Sequence, residues 1–201
     1  MFDIESIIKV TGVLGVAAIV FAESGLFFGF FLPGDSLLFS AGFLASQGFI
    51  PIVPLIVFAI IAAILGDSVG YWFGRKVGPL IFTRPDSRWF SQDRLRQAHV
   101  FFEKHGPKSI VLARFIPAVR TFTPILAGVG QMRYGKFLAY NVVGGLLWAG
   151  LLPALGYFLG AAVPGADRYI SLIIIAIIIL SILPIIVPVV RELLAKRKNR
   201  V

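Results

Sequence analysis

ARFIPAVRTFTP, residues 113–124, sets two arginines and two prolines inside an apolar run of about 109–130. The run is long enough to span a bilayer, which takes about 20 apolar residues. Its charges and prolines speak against a plain span. Non-helical backbone survives at membrane depth only where protein or a wet cavity surrounds it. The stretch therefore reads as a re-entrant or broken segment. Arg114 and Arg120 lie six positions apart and would diverge on one regular helix. Pro117 between them breaks that regularity, so a hairpin can turn both inward.

Further out, apolar stretches cover about 10–32, 36–50, 51–74, 137–163 and 170–190. The stretch 36–50 is too short to cross and reads as a second broken segment; the other four have full length. The composition agrees. Of 201 residues, 58% are hydrophobic, mean hydropathy is +0.90, and only 14% are charged. A soluble domain carries roughly 25% charged residues and could not bury so much apolar side chain. The chain is thus expected to be a single all-α polytopic membrane domain. Its parts are repeat one at about 10–78, a basic linker at 79–108, repeat two at 109–165, an extra C-terminal span at 170–190 and a basic tail at 191–201.

The absence of cysteine excludes disulfides, thiolate metal sites and cysteine nucleophiles. The positive charge is concentrated at 75–108, the end of repeat one and the linker, which carry Arg75, Lys76, Arg84, Arg88, Arg94, Arg96, Lys104 and Lys108, and in the tail. Flanking apolar spans, this charge reads as topology and anionic-lipid contact, with no role for nucleic acid. Both blocks are expected on the cytoplasmic side, with both termini inside. The acidic start, Asp3 and Glu5, is unlike a signal peptide, so the first apolar run is expected to be retained. In the linker, Ser91 caps an expected interfacial helix with Leu95, Ala98, Phe101 and Phe102 on its apolar face, stopped by Gly106 and Pro107.

A shift of about 86 residues brings Ala41-Gly42 onto Ala127-Gly128 and Gly70-Tyr71 onto Gly156-Tyr157. This implies an inverted repeat of one re-entrant hairpin plus one transmembrane helix, a plan that places sites near the midplane. Gly66, Gly70, Gly74 and Gly78, spaced by four, let helix backbones approach closely.

Five ionisable residues stand within apolar stretches: Glu23, Asp35, Asp67, Arg114 and Arg120. Each costs about 2.5–3.5 kcal/mol at a helix centre on insertion scales. Glu23 sits deepest, and a carboxyl that gains and loses a proton there is what proton coupling requires. Asp35 ends FLPGD, residues 31–35, where Pro33 and Gly34 break the helix; it can also cap the next one. The two guanidiniums suit phosphate, through paired parallel hydrogen bonds, or ion pairing with Glu23 and Asp35. Asp67, nearer a span end, is expected to reach water or Arg75. GDSVG at 66–70 matches G-x-S-x-G, but a nucleophile elbow needs a strand-turn-helix context and a partnered histidine. His99 and His105 do not share a helix face. No metal site, cofactor, ATP site or enzymatic activity is expected.

These residues resemble the DedA family, the SNARE-associated or VTT-domain membrane proteins. The resemblance rests on Glu23 with FLPGD, on R-F-I-P-x-x-R at 114–120, and on Ala127-Gly128, Met132, Phe137, Asn141 and Trp148. It covers about residues 10–165. It implies paired re-entrant hairpins in which Pro33, Gly34, Pro117, Gly128, Asn141 and Trp148 shape the hairpins and their packing. It places the family's essential acids on Glu23 and Asp35 and its essential arginines on Arg114 and Arg120. It further implies a bacterial inner-membrane protein that supports envelope integrity and uses the proton motive force. The expected partners are protons, the phospholipid bilayer and an anionic lipid, above all undecaprenyl phosphate on its return across the membrane; homo-oligomerisation stays open. Two other functions fit the same charges: a proton-coupled antiporter of small ions or drugs, and a non-transporting assembly factor for membrane proteins.

Overall fold

The computed structural model describes residues 4–25, 34–81 and 106–162. Within them the chain is helical, with no strand. Helix α1 is Ile4–Gly25, α2 is Gly34–Ser46 and α3 is Ile52–Ile81. After the linker come α4, Gly106–Ala113, and α5, Pro117–Val129. Helix α6, Tyr134–Gly145, passes through a π-helical turn, Leu146–Gly150, into α7, Leu151–Ala162. Two rods are long and apolar enough to cross a membrane: Ile52–Gly78 with 27 residues and Tyr134–Ala162 with 29. At about 1.5 Å per residue either exceeds a hydrocarbon core of about 30 Å.

The breaks follow local chemistry. Ile116 is extended (φ −116°, ψ 105°), as a residue before proline prefers. Pro117 opens α5, where its missing N–H leaves no donor orphaned. The turn at 114–116 thus separates α4 from α5, as Pro117 implies, while Pro124 is carried inside α5 without a break. Gly48 takes φ +83° in the turn between α2 and α3, a conformation that suits a residue without Cβ. Gly106 and Pro107, expected to stop a helix in the linker, in fact open α4, because proline is tolerated in a first turn. Helix α3 runs to Ile81, seven residues past the expected end of its apolar stretch. The expected linker helix, His99, His105, Pro33, the C-terminal span and the tail lie outside the described residues.

The outer surface is apolar and the inner surface tightly approached. Val53, Val57, Ile61, Leu65, Val69 and Phe73 make an exposed stripe along α3, one residue in every four. Lipid is the solvent that accommodates it. The inward face of the same helix carries Gly66, Gly70, Gly74 and Gly78. A Cβ on Gly66 would stand 2.7 Å from the Phe21 carbonyl of α1, and one on Gly74 would fall on the Ile125 carbonyl of α5. Helix α7 does the same to α2: a Cβ on Gly156 would fall on the Phe39 carbonyl, and one on Gly160 on the Ser46 hydroxyl. The order of these contacts makes α5 parallel to α3 and α2 parallel to α7. One core cluster joins α1, α2, α3 and the π turn through Val20, Leu38, Ala59 and Trp148. A second stacks Tyr71 on Phe137 at 4.7 Å, with the Tyr71 hydroxyl donating to the Met132 carbonyl.

Such contacts leave no room for a methyl group. In reversible unfolding of the detergent-solubilised protein, Gly42→Ala, whose Cβ would fall on the Pro153 backbone, should cost about 1–3 kcal/mol. Gly15→Ala meets nothing within 4 Å and should be neutral or up to about 1 kcal/mol stabilising. Equal effects would contradict the packing described.

Candidate functional site

Three helices bring charge to one place, and the π turn adds an indole. Glu23 stands in the last turn of α1, Asp35 in the first turn of α2, Arg120 in the first turn of α5, and Trp148 in the π turn. The guanidinium of Arg120 divides its fork. One nitrogen donates to Asp35 Oδ1 at 2.5 Å and the other to Glu23 Oε1. The same Asp35 oxygen accepts the Trp148 indole N–H at 2.6 Å, while the indole face lies 4.5 Å from the Arg120 guanidinium carbon. Glu23 is 2% exposed, whereas the Asp35 side chain is 41% exposed. The triad therefore has a sealed end and an open end. Glu23 packs on the backbone of Gly34, where any Cβ would displace its carboxyl group. Its Oε2 has no hydrogen-bond partner among the described residues.

A second group lies by the same indole, with the Arg114 guanidinium carbon 5.9 Å from the ring centroid. Arg114, 3% exposed, donates from Nη2 to both Asp67 and Asn141. The Asn141 amide in turn donates to the Ile64 carbonyl at 3.0 Å, one helical turn before Asp67. Gly144 makes space for the arginine, since a Cβ there would stand 2.7 Å from its Cδ.

Asp67, expected to reach water or Arg75, is buried and pairs with Arg114. Arg75 instead donates to the Tyr71 hydroxyl at 2.8 Å. The reason is helical phase: Asp67 faces the inner side of α3 with the glycines. Arg114 accordingly pairs with neither Glu23 nor Asp35. Two residues read from sequence as packing elements are polar contacts here, since Asn141 binds Arg114 and Trp148 binds Asp35. Gly128 does pack, with a Cβ position that would fall on the Tyr71 carbonyl. Ser68 donates to the Ile64 carbonyl at 2.8 Å on a continuous helix, so GDSVG makes no nucleophile elbow. Among the described residues no cluster could hold a metal ion.

Five buried or half-buried charges enclosed by helices with apolar outer faces define an α-helical integral membrane protein with a polar centre. The family follows from comparison. The VTT domain model matches residues 32–158. Protein DedA of Escherichia coli (strain K12) is 47% identical over 176 residues, which is 87% of this chain and 80% of that protein. A membrane protein of Mycobacterium leprae is 46% identical over 169 residues, 84% of this chain and 75% of the relative. Inner membrane protein YqjA of E. coli is 39% identical over 145 residues, covering 71% of this chain and 64% of the relative. The chain belongs to the DedA family of VTT-domain membrane proteins. No solved structure matches it.

The contacts differ in how easily water can replace them. Trp148→Phe keeps the ring under Arg120 but removes the indole donor to a half-exposed carboxylate. In the same unfolding assay it should cost about 1 kcal/mol. Glu23→Ala leaves Arg120 paired with Asp35 but strips the sealed arm of its fork of an acceptor, and should cost about 2–3 kcal/mol. The reverse order would contradict the assignment of sealed and open ends.

Proposed function

We propose that the protein is a proton-linked transporter of an anionic lipid, with undecaprenyl phosphate as the carrier it returns across the bacterial inner membrane. The observation that carries this reading is the imbalance at Arg120: one guanidinium is shared by two carboxylates. With Asp67 and Arg114 added, three carboxylates face two arginines, a formal charge of −1 when all are ionised. A phosphate monoanion entering alone would take the centre to −2. If the phosphate displaces Glu23 from the Arg120 fork and the released carboxyl takes a proton, the charge stays at −1. The headgroup is then neutralised locally, which lowers the cost of passing it through hydrocarbon. The half-exposed Asp35 gives the headgroup its approach, and the apolar stripe of α3 leaves the tails in lipid.

The path calls for hairpins that reach the midplane from opposite sides, an inverted repeat. Three facts support this. Asp67, the partner of Arg114, lies midway along the 30-residue α3. Helices α2 and α5 each run parallel to a long rod of the other half. Gly156 and Gly160 meet Phe39 and Phe43, while Gly74 and Gly78 meet Ile125 and Val129. The hairpin positions are 86 residues apart in these pairs and the rod positions 82, one helical turn from the register read in sequence. Arg75, Lys76, Arg133 and Lys136 are exposed at one end of the rods, which suits a cytoplasmic face. The name of YqjA, an inner membrane protein, supports the compartment.

Proteoliposomes carrying a labelled polyprenyl phosphate test the reading. Transport should rise with an imposed proton gradient and vanish with a protonophore. Glu23→Gln and Arg120→Gln should each lower it about tenfold or more. Rates unchanged by either substitution, or by the gradient, reject the mechanism. Gradient-driven exchange of small ions in vesicles free of the labelled lipid would favour an antiporter instead.

A further inference from the structure

The two arginines do not have equivalent surroundings. Arg120 serves two carboxylates, one of them 41% exposed, and is in excess of negative charge. Arg114 is matched one to one with Asp67, both buried, and the pair is neutral. Three constraints hold it. Asn141 shares the same guanidinium nitrogen and is itself tied to the Ile64 carbonyl. Gly144 receives the side-chain stem against its Cα. Gly145 leaves Nη2 4.0 Å from where a Cβ would stand. Arg114 Nε, buried with no hydrogen-bond partner among the described residues, is closed off against Gly144, where a Cβ would stand 3.0 Å from it. A phosphate seeking Arg114 would have to part it from that backbone or displace Asp67 from Nη2, and a buried acid left without its partner costs several kcal/mol.

We propose that Arg114, Asp67 and Asn141 form a positioning lock, and that Arg120 alone meets the phosphate. The assignment rests on the transport reading and divides its labour. The lock pins the 114–116 turn to the middle of α3. That fixes the start of α5 at Pro117, from whose first turn Arg120 projects. Trp148 joins the two groups, with its ring 5.9 Å from one guanidinium carbon and 4.5 Å from the other. Asp67 and Asn141 are thus positioning residues, acting on the headgroup only through Arg120.

Initial rates over a concentration series of a short-chain fluorescent polyprenyl phosphate in proteoliposomes separate binding from positioning. Arg120→Lys loses the fork and should raise KM about tenfold. Asp67→Asn and Arg114→Gln should each lower kcat about tenfold with KM within about threefold of wild type. The Asp67→Asn/Arg114→Gln double variant removes both charges and leaves two amides that can hydrogen-bond across the same gap, so the turn stays pinned and kcat should return to within about threefold of wild type. Arg114→Lys keeps the charge on Asp67 and guards against misfolding of the glutamine variant; its KM should stay unchanged. A KM raised about tenfold in Arg114→Lys, or a double variant no better than Arg114→Gln, makes Arg114 a substrate ligand and overturns the assignment alone. Wild-type vesicles that move no polyprenyl phosphate overturn it together with the transport reading.

Discussion

A guanidinium held by two carboxylates inside a membrane protein constrains everything around it. Arg120 needs acceptors on both sides of its fork, because an unpaired cation in hydrocarbon is costly. Those acceptors come from different helices, Glu23 on α1 and Asp35 on α2, and the cation from a third. Each helix must therefore end or begin at the same depth. Helix α1 ends at Gly25, α2 begins at Gly34 and α5 begins at Pro117. Three helix termini meeting in one layer is what turns a bundle of apolar rods into a protein with a polar interior.

Close approach makes that meeting feasible. The glycines of α3 and α7 bring backbones within a methyl group of each other, and the charges are sealed by packing rather than by length of helix. The same economy explains the difference between the two arginines. Arg114 lies where α3, α4 and α6 meet and is balanced by a single acid. Arg120 lies toward the half-exposed Asp35 and shares two acids. One group is fixed by geometry, and the other retains an alternative partner.

Much of this was legible in the residues. Pro117, between the two arginines, gave the break at 114–116, because proline restricts the residue before it and suits the first position of a helix. Glu23, Asp35 and Arg120 stood out because charge within apolar sequence demands a partner. The choice of partner was not legible. Asp67 lies near basic residues in the chain, yet its helical phase turns it to the glycine face and away from Arg75. Asn141 and Trp148 carry polar atoms on largely apolar helices. Whether those atoms pack or bind depends on what a distant segment places opposite them. Periodicity gives the face a residue occupies; only tertiary contact gives what it meets there.

The π turn at 146–150 has a consequence for the angular phase of the long rod. At about 100° per residue, an unbroken α-helix would carry Pro153, Gly156 and Gly160 some 60–120° around the axis from Asn141. One wide turn absorbs a residue and unwinds most of that offset, to within about 40°. The half of the rod that grips α2 and the half that grips Arg114 then look the same way. Trp148, seated in the wide turn itself, faces the layer between them. A single surplus residue has been spent as rotation, and it is this twist correction that lets one continuous rod serve two neighbours at different depths.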